Sequence, residues 1–131
     1  MSGDATPEGG AVGWRVVVVA GALGAATIVA LLPLCDLLFN CGCDWPWSGG
    51  VDHCNVYRPG DRHCPWCVHP WTADASLAFL LGAQAFGAWA LARRHRGWVA
   101  PLVGGACGGA AAAVVARAIV AWLSGYPLTA S

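Results

Sequence analysis

Residues 41–69 read CGCDWPWSGGVDHCNVYRPGDRHCPWCVH, a stretch with five cysteines and three histidines. Thiols and imidazoles at this density bind a metal, close disulfides, or carry out thiol–disulfide exchange. Cys41 and Cys43 form a CxC. In extended chain residues i and i+2 point to one side, so both sulfurs can face a single ion; a bond between them would close a tight, strained ring. Cys64 and Cys67 form a CxxC, the spacing of a metal knuckle or a local disulfide. Twenty residues, Asp44 to His63, separate the two pairs. This layout predicts a four-thiolate site of Cys41, Cys43, Cys64 and Cys67, with Zn2+ as the expected ion. Cys54, His53, His63 and His69 are secondary ligand candidates. Cu+ also favours soft sulfur ligands, but it ranks behind zinc because Met1 is the only methionine.

The tetrapeptide CPWC resembles the CPYC active site of glutaredoxins over those four residues. The resemblance implies a redox pair of Cys64 and Cys67, but no βαβ pattern surrounds it and no thioredoxin fold follows. Thiols beside membrane helices are also similar to those of the quinone-linked disulfide oxidases, which are larger bundles. A membrane thiol–disulfide oxidoreductase therefore stands as the alternative to the metal site. A disulfide-stapled structural module without metal is the third reading: Cys35 brings the outer cysteines to six, enough for three disulfides. CPWCVH is not a haem attachment site, because Val68 intervenes. No GxGxxG, P-loop, HExxH or Ser-His-Asp pattern is present, and the reading leans away from an enzyme.

The flanking sequence must hold this loop in place, and it is apolar. The chain of 131 residues is 57% hydrophobic and 11% charged, with a mean hydropathy of +0.57. A soluble domain carries about a quarter charged residues, so the composition is that of a membrane protein. The net charge is zero, which argues against a nucleic-acid partner. Every basic residue is arginine, and alanine and glycine abound, a bias that fits a bacterial source.

Apolar runs cover 16–34, 76–92 and 98–123, and a helix needs roughly 20 such residues to cross a bilayer. The expected architecture is an all-α membrane protein with three transmembrane helices. A cytoplasmic tail (1–14) leads to helix one (15–39). A Cys/His/Trp-rich extracytoplasmic loop (40–73) leads to helix two (74–92). An arginine-rich cytoplasmic turn (93–97), helix three (98–124) and an extracytoplasmic tail (125–131) follow. Asp4 and Glu8 precede the first run with only Arg15 against them, so it lacks the basic start of a signal peptide and is expected to be retained. Arg93, Arg94 and Arg96 mark the cytoplasmic side of an inner membrane, while five aspartates face two arginines between residues 35 and 74.

The loop is too short to bury a core of its own and needs staples. In helix three, Gly104/Gly108 and Gly105/Gly109 give overlapping GxxxG spacings. These suit tight packing within the bundle, or contact with another membrane subunit or a second copy of the chain. Lipid is the other expected partner. Cys107, in mid-helix, stands apart from the loop chemistry, and Gln84 is placed to bond across helices.

Overall fold

A computed structural model describes residues 8–60 and 63–127 of the chain. The expectations that fall on 1–7, 61–62 and 128–131, including Asp4, Asp61, Arg62 and most of the C-terminal tail, lie outside the described residues. Five α-helices and one short 3-10 turn make up the fold, with no strand among the described residues: α1 Glu8–Val29, α2 Leu31–Phe39, α3 Pro65–Val68, α4 Pro70–Arg94 and α5 Val99–Ser124. Helices α4 and α5 are each long and apolar enough to cross a membrane. Helices α1 and α2 qualify only together, as a pair bent by 65°.

That bend corrects the single helix expected over 15–39. Pro33 has no N–H to give the carbonyl of Val29, and its ring crowds that carbonyl. The chain therefore turns at Ala30, while helical hydrogen bonds run up to the break and away from it (Ala30 N–H to Ala26 O, 2.9 Å; Leu34 N–H to Ala30 O, 2.8 Å). The start of α4 at Pro70 takes four residues that the sequence placed in the loop. Proline suits the first helical position, where an N–H would be unpaired anyway. The Thr72 hydroxyl donates to His69 O at 2.7 Å and locks the joint between α3 and α4.

Small residues set how closely the spans approach. A Cβ on Gly104 would strike the backbone of Gly87, and one on Gly108 the backbone of Ala83. The first GxxxG pair therefore packs against α4 of the same chain, on the face that a second subunit would need. The second pair lies where α1 joins α4 and α5: Gly105 meets Leu23 of α1 as well as Gln84 and Ala88 of α4, and Gly109 meets the Gln84 side chain. Gln84 Nε2 donates to Thr27 Oγ1 at 2.7 Å, the cross-helix bond that its mid-helix position suggested. Cys107 is exposed on the outer surface of the bundle, away from the other cysteines.

The two ends of the bundle differ. At one end Trp14 meets Trp98 edge-on at 4.8 Å, the Arg15 guanidinium lies 5.6 Å from the Trp98 ring, and Arg93 lies 4.8 Å from Trp89. Such contacts anchor an arginine on an aromatic face. The loop between α2 and α4 is at the other end. Tyr126 reaches back to it: Gly125 ends α5 in the left-handed conformation (φ 67°), and the Tyr126 hydroxyl donates to Phe39 O at 2.8 Å.

Gly104→Val puts a branched side chain against the Gly87 backbone and is expected to destabilise the bundle by about 1–3 kcal/mol, the usual cost of overpacking. Gly82→Ala, where nothing lies within 4 Å of the new methyl, is expected to leave stability unchanged or slightly raised. Loss of helicity against the fraction of denaturing detergent measures both.

Candidate metal centre

The loop folds back on the end of α2 for local reasons. Asn40 caps α2 in the left-handed region (φ 49°), with its N–H on Asp36 O at 2.6 Å. The Asp36 carboxylate then receives the Gly42 N–H at 2.7 Å. The reversal brings Cys41 over Cys35, with the two sulfurs 3.3 Å apart. Gly42 itself has φ +80°, and a Cβ there would come within 2.7 Å of the His53 carbonyl. The residue between the cysteines of the CxC is therefore held to glycine twice over, by backbone conformation and by space.

The remaining sulfurs arrive from the far side of the loop. Cys64 stands just ahead of α3, whose first residue is Pro65. The Cys67 N–H bonds Cys64 O at 3.1 Å, the turn of a CxxC. Cys64 Sγ lies 3.2 Å from Cys35 Sγ, Cys41 Sγ lies 3.4 Å from Cys43 Sγ, Cys43 Sγ lies 3.7 Å from Cys67 Sγ, and Cys67 Sγ lies 3.0 Å from Cys54 Sγ. The six thiols thus form one unbroken string, Cys64–Cys35–Cys41–Cys43–Cys67–Cys54. Three sets of three have all their sulfurs within 4.8 Å: Cys35/Cys41/Cys64, Cys35/Cys43/Cys67 and Cys41/Cys43/Cys54. A cysteine cluster of this kind can hold a metal ion.

Asn55 fastens the two halves. It is buried, its N–H donates to Cys41 O at 2.7 Å, and its Oδ1 accepts the Cys64 N–H at 2.9 Å. One side chain and its backbone therefore tie the CxC to the CxxC. Around the sulfurs lies an apolar shell that includes Leu38, Phe39, Trp66 and Ala112. Phe39 meets Trp66 edge-on at 5.2 Å and Tyr126 at 5.7 Å. Cys64 is 0% exposed and Cys54 1%, and Cys67 alone of the six is partly open.

Thiols this close share protons. Cys41 is pushed well below the usual thiol range because Cys35, Cys64 and Cys67 hydrogen-bond its thiolate. Cys43 is pushed above that range, first by burial and then by its neighbours Cys54 and Cys41. Burial raises Tyr126.

All four primary candidates, Cys41, Cys43, Cys64 and Cys67, lie in the string, and so does Cys54. The histidines are outside the three triads. His53, His63 and His69 are exposed; the His53 ring lies against Gly49, and His63 Nδ1 is 3.0 Å from Asn55 O. Trp66 forms part of the shell, whereas Trp45 and Trp47 stack on each other at 5.0 Å and stay exposed. Two residues escaped the ligand set drawn from the sequence. Cys35 was hidden in an apolar run, and its signal was the six-residue step to Cys41. Asn55 carries no metal-ligand signature and could be found only by its contacts.

Compared with protein-family models, curated proteins and solved structures, the chain matches none.

Asn55→Ala leaves the buried Cys64 N–H without its acceptor, an omission that costs about 1–3 kcal/mol. The variant is expected to keep its spans but expose the thiols, so that a maleimide reagent labels the loop cysteines at least several-fold faster than in the parent.

Proposed function

We propose that this is a small integral membrane protein that holds a thiophilic metal in a closed thiolate centre on its extracytoplasmic face, as an accessory or interaction component of a membrane complex. The observation that carries the reading is the convergence of six sulfurs, five of them buried, at one end of a bundle of apolar helices. Structural metal sites are closed to solvent, while catalytic ones keep an open position. Taken alone, the CxC and CxxC pairs suit zinc; the choice between zinc and a softer thiophilic ion depends on how many of the six sulfurs bind. In so small a loop the metal would supply the cohesion that a hydrophobic core cannot.

The orientation rests on charge. Arg15, Arg93, Arg94 and Arg96 lie at or beside the end of the bundle remote from the cysteines, and the positive-inside rule places that end in the cytoplasm of an inner membrane. Alkaline phosphatase fused after residue 127 is expected to be active, and fused after residue 97 inactive. The opposite pattern would put the thiols in the cytoplasm.

A second reading is favoured by the Cys54–Cys67 contact of 3.0 Å, because Cys67 is also the most accessible of the six. Thiol–disulfide exchange would then begin at Cys67, with Cys64 or Cys54 as its partner. One sample separates the readings. The full chain is purified in mild detergent without reductant, its metals are measured by elemental mass spectrometry, and its free thiols are counted in denaturant before and after chelation. Bound metal, with the loop thiols reacting only once it is stripped, is the expected result. No metal and a single reactive thiol would mean three disulfides and would overturn the metal reading.

A further inference from the structure

We propose that the centre is polynuclear, with Cys35, Cys41 and Cys43 as bridging thiolates and Cys64, Cys67 and Cys54 as terminal ones. The inference rests on the metal-centre reading above and adds the number and class of ions. Each compact triad contains two of the first three cysteines and one of the second. Cys35 belongs to the triads ending in Cys64 and Cys67, Cys41 to those ending in Cys64 and Cys54, and Cys43 to those ending in Cys67 and Cys54. The topology is a ring of three positions, each offering three sulfurs and sharing two of them with its neighbours.

A single tetrahedral ion uses four thiolates. Two further sulfurs would then remain in contact with the bound ones, buried and without a cation of their own. A continuous string of six sulfurs, each in contact with the next, has no natural place to stop after four. Thiolates bonded to zinc at about 2.3 Å stand about 3.8 Å apart, so the 3.0–3.7 Å contacts of the string already lie near coordination spacing along its whole length. The same contacts leave no room between the cysteines for the inorganic sulfides of an iron–sulfur cluster.

The donor set points to the ion class. The triads contain sulfur only, with the histidine side chains outside them. Zinc seeks a fourth ligand, whereas Cu(I) is soft, selects thiolates and is satisfied by three. Three Cu(I) ions would enter one position at a time, each of the six thiols releasing its proton to solvent as it becomes a copper-bonded thiolate; six protons leave for three cations, so the filled cluster carries a net charge of −3, with no change of oxidation state. The occupant is therefore a cluster of monovalent d10 cations, and the apolar shell of Phe39, Trp66 and Tyr126 shields it from water and oxidants.

The test is an anaerobic titration of the reduced, metal-stripped full chain in detergent with Cu(I), followed by desalting, elemental mass spectrometry and X-ray absorption. Three ions per chain, three sulfurs per copper and a metal–metal vector are expected. Cys54→Ser, which removes a terminal ligand, is expected to lower the count to two; Cys107→Ser is expected to leave it at three. Should Cys54→Ser not fold, the parent's stoichiometry and metal–metal vector decide alone. Saturation at one ion, or several ions without a metal–metal vector, would overturn the bridged cluster while leaving a metal centre in place. Failure to bind Cu(I) or Zn(II) at all would overturn both readings.

Discussion

The cysteine-bearing end of this protein depends on how α2 stops. A helix leaves its last carbonyls unpaired, and here the left-handed Asn40 turns the chain sharply enough to place Cys41 over Cys35. Asp36 holds both sides of the reversal, with its carbonyl on the Asn40 N–H and its carboxylate on the Gly42 N–H. Without this turn the CxC would continue along the direction of α2, and the sulfur in the helix would have no counterpart in the loop. The bend at Ala30 works with it. By tilting α2 away from the axis of α1, the bend lays the short helix against α5.

Charge and burial are in tension at the centre. Five sulfurs are withdrawn from solvent, where a lone thiolate is expensive, yet packing the thiols together lets some of them ionise by accepting hydrogen bonds from others. The result is a set of neighbours pushed in opposite directions, Cys41 downward and Cys43 upward. The aromatic shell keeps the surroundings apolar, which strengthens every charge interaction inside it.

The membrane part is built by a different rule. Lipid offers little drive for helices to associate through large apolar side chains, so close approach comes from small residues and polar bonds. Gly87 against Gly104, Ala83 against Gly108 and Gln84 on Thr27 supply it. Large residues such as Val17, Phe86 and Trp122 point outward, as expected where the solvent is hydrocarbon. A tightly joined α4–α5 pair gives the loop a stable platform, and Tyr126 extends that pair to the rim of the centre.

Much of this was legible in the sequence, because it depends on local composition and short spacings. Apolar runs gave the helices, arginines marked one end, and the CxC and CxxC named four of the six sulfurs. The rest required tertiary structure. Cys35 reads as one more apolar residue in a membrane helix until the turn at Asn40 places its sulfur against Cys41 and Cys64. The histidines look like ligands by proximity in sequence, but the loop turns place their rings on its outer face. The closure of the loop is tied by Asn55, whose bonds to Cys41 and Cys64 join residues far apart in the chain, and periodicity carries no trace of such contacts. The choice between one four-thiolate site and a shared string of six is of the same kind. Sequence supplies the donors, and only the folded chain decides which of them touch.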